Sequence, residues 1–378
     1  MKNSNSAGLS IGVALLPIIF LVLLLSINVF IYGDDSLNGT NQFILILSGL
    51  FGASIGFIYK VSYKKILASI SNSVKSVTGA LLILLFVGAL AGTWMISGII
   101  PAMVYYGLKI LDPNIFLPAC IIICSIISVA TGSSWTTSAT VGIALVGIGK
   151  ALGIPAGMVG GAVIAGAYFG DKLSPLSDTT NLAAAVTKVD LFKHIKYLTY
   201  TTIPSISITL IVFIILGFLQ VSDGTTDNTY LLNAISEKFN ISLALFLVPL
   251  LVLIMIVKKT PPLIALVIGT LVGALFSLIF QPQIINELSG GTNSSLIDSY
   301  IVIMNTITGE INIETNNEIL NDLFSTGGML GMMNTIFLVI GTMVFGGVMD
   351  AIGALKTISK ALLKWADNTF KLFASTVA

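Results

Sequence analysis

Long stretches of this chain contain no charged residue, and the first of them runs from Ile11 to Ile31. A segment of that length without charge can cross a lipid bilayer as a helix. Over the whole chain, 55% of the residues are hydrophobic and 9% are charged, whereas a soluble domain carries about 25% charged residues. Such a chain cannot cover its surface with polar groups, so we predict an all-α polytopic membrane protein.

Further uncharged runs predict the other membrane helices. No small-residue cleavage site follows the first run, which favours a spanning helix over a cleavable signal. We predict helices at 11–31, 42–59, 80–108, 155–186, 201–221, 241–257, 261–280 and 331–350.

The chemistry-bearing residues exclude several classes of function. The net charge of +1 offers no basic surface for nucleic acid, so no nucleic-acid partner is expected. The single histidine, His194, lies in a basic segment that we predict to be a loop, which argues against histidine-based metal binding or catalysis. Cys120 and Cys124 lie on an apolar run, so we interpret them as packing residues and not as metal ligands. No Walker loop, HExxH motif, GxSxG context or nucleophile–base pair occurs. We therefore expect a protein that is not an enzyme and has no cofactor.

The lysines predict how the chain is oriented, because positively charged loops stay in the cytoplasm. The basic segment Lys60–Lys75 and the loop at Lys188 are expected inside, whereas Asp34 and Asp35 are expected outside. This assignment predicts a multi-pass protein of the plasma membrane with a cytoplasmic N-terminus.

The uncharged run Pro113–Gly149 is too long for one crossing and short for two crossings with a turn. The segment before it is expected outside and the loop at Lys188 inside, so an odd number of crossings must join them. A re-entrant hairpin over 113–149, followed by a single crossing over 155–186, satisfies this condition. Its polar tip would lie at membrane depth, which requires burial in protein or a water-filled cavity.

The same count of crossings predicts two repeats of opposite orientation, as in many secondary transporters. Residues 1–221 form the first repeat, with three helices, the hairpin 113–149, the broken helix 155–186 and a helix at 201–221. Residues 222–240 form an external linker, and residues 241–378 form a partial second inverted repeat. The second repeat lacks its own hairpin and broken helix, so we expect it to be truncated.

The stretch YFGDKLSPLSDTTN, Tyr168–Asn181, places charge inside a predicted membrane helix. We expect Gly170 and Pro175 to break this helix, since proline lacks an N–H and clashes with the preceding turn. Asp178 also suits the N-cap of a second helical half. A charge at the bilayer centre costs at least ~3 kcal/mol, so Asp171 and Asp178 are candidates for an ion pathway.

A carboxylate beside carbonyls freed by a helix break forms an oxygen cage suited to Na⁺ or Li⁺. Burial generally raises the pKa of a carboxyl group, so a proton and a cation can compete for it. We assign Lys172 as the charge partner of either aspartate. The remaining candidate ligands near the break carry hydroxyl or amide groups: Ser174, Ser177, Thr179, Thr180 and Asn181.

A second polar constellation lies at the tip of the predicted hairpin, in the sequence TGSSWTT. Hydroxyls crowded at the centre of an uncharged run favour an ion or substrate site, although such hydroxyls can also bond to their own backbone. Trp135 is interpreted either as part of this tip or as a packing residue. The candidate ligands at the tip are Thr131, Ser133, Ser134 and Thr136.

The run GAYFGDKLSPLSDTTNLA resembles the signature of the NhaC-type sodium/proton antiporter family. The segments ISGIIPAMVYYGL and SVATGSSWTTSATVG resemble that family's preceding segments in order and spacing. The resemblance implies a secondary antiporter that exchanges Na⁺ (or Li⁺) for H⁺ in a fold of two inverted repeats with hairpins. It also implies a set of site residues: Asp171, Ser174, Asp178, Thr179 and Asn181.

Some members of that family exchange carboxylates, so a cation-coupled carboxylate antiporter of the malate/lactate type is the alternative. A dicarboxylate needs a basic counter-charge, for which Lys172 is the sequence candidate and helix N-termini a partial substitute. The expected partners are Na⁺ or Li⁺, H⁺ and the lipid bilayer, and a homodimer is compatible with the sequence.

Overall fold

The computed structural model describes residues 9–110, 112–175, 177–220, 229–258, 260–290, 296–315, 320–321 and 324–365. Within these residues the strands are a short antiparallel pair, β1 (Ile311–Asn312) and β2 (Ser325–Thr326). The other regular elements are helical, and 7 helices are long and apolar enough to cross a membrane. The predicted all-α polytopic architecture is confirmed.

Most of the described residues belong to α-helices. A 3₁₀ turn (Gly33–Leu37) follows the first helix, a π-helical segment (Ser138–Gly142) follows the sixth, and a 3₁₀ turn (Leu243–Phe246) precedes the twelfth. The helices are α1 (Ile11–Tyr32), α2 (Thr40–Ile58), α3 (Tyr63–Ile96), α4 (Ile99–Ile110), α5 (Pro113–Thr131), α6 (Ser134–Thr137), α7 (Ile143–Ala151), α8 (Ala156–Leu173), α9 (Asp178–Thr187), α10 (Leu191–Gln220), α11 (Thr229–Lys238), α12 (Leu247–Val257), α13 (Pro262–Phe280), α14 (Pro282–Leu288), α15 (Leu296–Thr308), α16 (Gly328–Gly331), α17 (Met333–Ala351) and α18 (Ala354–Trp365).

The chain forms two compact units by its internal contacts. The first unit comprises residues 1–84 and 332–378, and the second comprises residues 85–331. Helix α3 contributes residues to both. The division into repeats at 1–221, 222–240 and 241–378 stays a prediction.

In the first unit, the ends of five helices meet in one apolar cluster. It contains Ala14 of α1, Ile55 of α2, Ile66 of α3, Met349 of α17 and Ala354 of α18, all buried. The end of α2 approaches the residue after α17 closely, since a Cβ added to Gly56 would lie 2.7 Å from Cγ2 of Ile352. The five helix ends therefore belong to one side of this unit.

At the other end of α1, the first unit is held by amide hydrogen bonds. The side-chain nitrogen of Asn28 donates to Oγ1 of Thr40 and to Oδ1 of Asn41, both at 2.8 Å. Asn28 is 8% exposed, and a buried amide needs partners of this kind. These bonds join α1 to the start of α2.

In the second unit, α5 and α8 pack side by side and run in the same direction. A Cβ on Gly166 would collide with the carbonyl oxygen of Ile121, and one on Gly170 would lie 2.5 Å from that of Ser125. Successive positions of one helix thus meet successive positions of the other. The glycines allow the backbones of α5 and α8 to come this close, as small residues commonly do between membrane helices.

Helix α7, with the π-helical segment before it, packs beside α8 and runs antiparallel to it. Gly142 faces Val163, and Gly149 faces Val159, so increasing numbers on α7 meet decreasing numbers on α8. A Cβ on Gly149 would also lie 3.0 Å from the ring of Phe116. The two ends of the segment 113–149 therefore lie next to each other, as in a hairpin, while the depth of its tip in a membrane stays a prediction.

Two predicted helices have different bounds in the structure. The helix predicted at 80–108 begins earlier, at Tyr63, and is divided at Gly98, whose φ of 78° lies in the left-handed region that favours glycine. The helix predicted at 201–221 begins at Leu191, because Oδ1 of Asp190 accepts a hydrogen bond from the backbone N–H of Lys193 (3.0 Å) and supports an earlier start. His194 is consequently helical and not part of a loop.

The predicted linker 222–240 contains a helix of its own, α11. Helix α11 and the segment Leu243–Ile256 meet at an angle of 84° across a short break. Residues 221–228 lie outside the described part of the chain.

Candidate ion-binding site

The hairpin tip and the broken helix meet at Asp171. The hydroxyl of Ser134 donates a hydrogen bond to Oδ2 of Asp171 at 3.0 Å. Asp171 is 8% exposed and Ser134 is 5% exposed, so the bond is buried. The two polar constellations of the sequence are thus parts of one site.

The local conformation of the tip is set by Gly132, which ends α5 in the left-handed region with a φ of 70°. Its N–H donates to the carbonyl of Ser128 at 2.8 Å. The chain then turns and starts α6 at Ser134, which directs that hydroxyl towards α8. The hydroxyl of Thr137 instead donates to the backbone carbonyl of Ser133 at 2.9 Å. This is the local bonding to the backbone that hydroxyl side chains in helices often make.

The side chains of Thr131, Thr136 and Asp178 lie outside the described part of the structure. The roles predicted for them as ligands therefore stay predictions.

The helix break lies between Leu173 and Asp178, at the position of Pro175. The other predicted breaking residue, Gly170, is inside α8, and that prediction is wrong. A Cβ on Gly170 would lie 2.5 Å from the carbonyl oxygen of Ser125, so its lack of a side chain serves helix packing instead. The sequence did not distinguish these two uses of glycine, because both require the same missing Cβ.

Side chains of α9 bond to the carbonyl groups around the break. The hydroxyl of Thr180 approaches the carbonyls of Asp171 (3.4 Å) and Lys172 (3.2 Å). The side-chain amide of Asn181 donates to the carbonyls of Pro175 (2.9 Å) and Ser177 (2.8 Å). The expected cage of free carbonyls is therefore partly occupied, although each carbonyl oxygen has a second lone pair.

A cavity of about 520 Å³ opens beside Asp171. Its lining combines one carboxyl group with hydroxyls, an amide and an aromatic ring. The lining residues are Gly132, Ser133, Ser134, Trp135, Asp171, Pro175, Ser177, Thr179, Asn181, Ile256, Thr260, Pro261 and Pro262.

Two predicted ligands lie next to this cavity without lining it. Ser174 is fully buried, and its hydroxyl donates to the carbonyl of Val129 at 2.8 Å. Thr180 is 3% exposed and bonds to the carbonyls of α8. These hydroxyls hold α5, α8 and α9 together around the carboxyl group.

Lys172 is exposed and does not line the cavity. Among the described side chains it makes no ion pair with Asp171, because neighbouring residues on a helix point in different directions. Its pairing with Asp178 stays a prediction.

The third side of the cavity, between α12 and α13, was not predicted from the sequence. Thr260, Pro261 and Pro262 line it together with Ile256. The segment KKTPP marks the boundary between the helices predicted at 241–257 and 261–280, but nothing in its sequence shows that this boundary lies beside Asp171.

The ligands that face the cavity are oxygens of carboxyl, hydroxyl and amide groups. The amide nitrogen of Asn181 already donates to two carbonyls, so Oδ1 is the atom of that side chain that can face a cation. Hard oxygen donors of this kind suit an alkali cation. A buried carboxyl group where a hairpin meets a broken helix, in a chain with several membrane-length helices, is typical of a secondary transporter.

The chain belongs to the Na⁺/H⁺ antiporter family, whose model matches residues 166–378. It is 37% identical over 361 residues to the malate-2H⁺/Na⁺-lactate antiporter of Bacillus subtilis, with 95% of this chain and 73% of that protein covered. It is 36% identical over 332 residues to the Na⁺/H⁺ antiporter NhaC of Alkalihalophilus pseudofirmus, with 88% and 69% covered. The NhaC of Bacillus subtilis is 35% identical over 324 residues, with 85% and 68% covered. No solved structure matches the chain.

Proposed function

We propose that this protein exchanges Na⁺ for H⁺ across the plasma membrane, with its N-terminus in the cytoplasm. The observation that carries the proposal is the buried carboxyl group of Asp171, which accepts a hydrogen bond from Ser134 at the edge of a cavity that hydroxyl and amide groups partly line. The two NhaC relatives support Na⁺ and H⁺ as the exchanged ions. We include Li⁺ as a substrate, since it offers the same charge to the same oxygens.

The mechanism is competition for one carboxyl group. A proton on Asp171 neutralises the site, and a cation can bind only when that proton has left. Ser134 orients Oδ2, while the cavity-facing hydroxyls and the Oδ1 atom of Asn181 replace water around the cation. Because either ion alone neutralises the carboxylate, the site carries one ion at a time in each direction.

The alternative is exchange of carboxylates, and the malate/lactate antiporter among the relatives favours it. An anionic substrate needs a positive partner, and the described lining of the cavity contains no lysine or arginine. Pro261 and Pro262 begin α13 beside the cavity, and proline has no N–H to offer an anion. At the start of α9, the N–H of Thr180 approaches Oγ of Ser177 (3.4 Å), so a side chain of the protein occupies one of the N-terminal N–H groups. These features favour a cation as the ligand of the cavity.

We further propose that transport requires no cofactor and no enzymatic step, and that the protein assembles as a homodimer. The proposed roles of Asp178 and Lys172 are a second carboxylate on the ion path and its charge partner.

The test uses everted membrane vesicles from cells that lack their own antiporters, with a fluorescent dye that reports the pH gradient. Addition of Na⁺ or Li⁺ should dissipate the gradient with the unmodified chain and fail to do so with Asp171→Asn. The control is Asp190→Asn, which removes an exposed carboxylate but retains a capping oxygen for α10. A response to malate or lactate alone would instead establish the alternative, and full activity of Asp171→Asn would refute the assigned site.

A further inference from the structure

One end of the first unit carries a cluster of exposed lysines, which we call the lysine surface. The polar face of α18 contributes Lys356, Lys360 and Lys364 at intervals of one helical turn, and the α2–α3 connection contributes Lys60, Lys64 and Lys65. All six are exposed. Both segments adjoin the apolar cluster that contains Ile66 and Ala354, so they lie at the same end of the unit.

Few acidic groups offset this charge. Among the described residues of the first unit, the carboxyl group at this end is that of Asp350, whose Oδ2 accepts a hydrogen bond from Ser69 at 3.1 Å. None of the six lysines forms an ion pair with a carboxylate within the described part of the chain. Within the described part of the chain, the lysine surface is therefore a patch of positive charge without ion-pair partners.

Helix α18 also exposes apolar side chains beside its lysines. Ala354 and Ile358 lie on one edge of the helix and pack into the apolar cluster. Leu355, Leu362 and Leu363 lie outside that edge and are 44%, 45% and 61% exposed. A helix with a lysine row and exposed leucines suits the boundary between lipid headgroups and acyl chains. It begins directly after the membrane-length helix α17, separated by Gly353 with a φ of 79°.

We propose that the lysine surface binds the headgroups of anionic phospholipids, with α18 lying in the membrane interface. Clusters of four to eight lysines next to a membrane helix attract anionic lipids by charge. The exposed leucines can contact the acyl chains of a phospholipid. A free anion in solution has no acyl chain, so this apolar contact favours a lipid as the ligand. This inference does not depend on the ion that the protein transports.

The test compares the purified full chain in nanodiscs of phosphatidylcholine alone with nanodiscs that also contain phosphatidylglycerol. A lipid that binds the folded state raises Tm, so phosphatidylglycerol should raise the Tm of the unmodified chain. The triple variant Lys356→Gln, Lys360→Gln, Lys364→Gln should lose more than about half of that rise, while its Tm in phosphatidylcholine stays unchanged. High salt should reduce the rise for the unmodified chain, because exposed charges are screened.

A matched control removes the same charge elsewhere, through Lys188→Gln, Lys193→Gln and Lys196→Gln, which are also exposed. This control should keep most of the rise in Tm. The proposal is overturned if phosphatidylglycerol has no effect on the unmodified chain, if the α18 variant keeps the full effect, or if the control loses as much as the α18 variant.

Discussion

Ser134 and Asp171 are 37 residues apart in sequence and share a buried hydrogen bond of 3.0 Å. The bond joins the tip of a hairpin to the last turn of α8, just before that helix breaks. A hydroxyl donor to Oδ2 orients the carboxyl group, and the second oxygen, Oδ1, can still accept another partner. This contact is the basis of the first prediction.

Ser134→Ala should raise the KM for Na⁺ by about tenfold, since a hydrogen bond to a charged group contributes about 1.5 kcal/mol. Initial rates of Na⁺-dependent dequenching in everted vesicles measure this change. Ser207→Ala is the control, because its exposed hydroxyl bonds to the carbonyl of Ile203 (2.8 Å) in its own helix α10 and does not line the cavity. An unchanged KM for Ser134→Ala would contradict the role of this bond.

Competition between Na⁺ and H⁺ makes a prediction about pH. As the pH falls, the KM for Na⁺ should rise while the maximal rate at saturating Na⁺ changes little, because a proton occupies the carboxyl group that Na⁺ needs. Rates measured over a range of Na⁺ concentrations at several pH values separate the two parameters. A maximal rate that falls with pH at constant KM would show that the proton binds elsewhere.

Gly170→Ala should lower the free energy of unfolding by about 1–3 kcal/mol, the usual cost of overpacking. The added methyl group would meet backbone atoms of Ser125 and Val129, which cannot move away without separating α5 from α8. Thermal unfolding in detergent measures the effect. Gly160→Ala in the same helix has no atom within 4 Å of the new Cβ and should leave Tm unchanged or slightly higher.

Thr180→Val should reduce the transport rate and lower stability by about 1–3 kcal/mol, because it removes the hydroxyl that bonds to carbonyls at the break. Thr180→Ser keeps this hydroxyl and should retain most of the activity. Vesicle assays and thermal unfolding of both variants give the comparison. Equal loss in both would point to packing of the methyl group and not to the hydrogen bonds.

Cysteines at Asn114 and Lys150 should react with a membrane-impermeant thiol reagent from the same side of the membrane. The two ends of the segment 113–149 are adjacent, since Gly149 lies against the ring of Phe116. The background replaces the buried Cys120 and Cys124 with alanine. Reaction from opposite sides would exclude a hairpin.

Local patterns were sufficient for part of the site. Pro175 predicted the helix break correctly because its missing N–H acts within one turn, whatever the surroundings. Gly170 was misassigned because its role depends on Ser125, a neighbour on another helix. Thr260 and the prolines after it were missed for the same reason, since they join the cavity only through the packing of the second unit.

The sequence by itself determined the membrane class, most of the long helices, the polar tip and the charged break, because hydropathy and backbone chemistry act over short distances. The tertiary structure decided which of these polar groups meet. Ser134 reaches Asp171 because α5 and α8 run in parallel and meet closely at glycine contacts, which brings the tip after α5 to the last turn of α8. Lys172, in contrast, is adjacent to Asp171 in sequence but faces away from the cavity, since successive residues of a helix point about 100° apart.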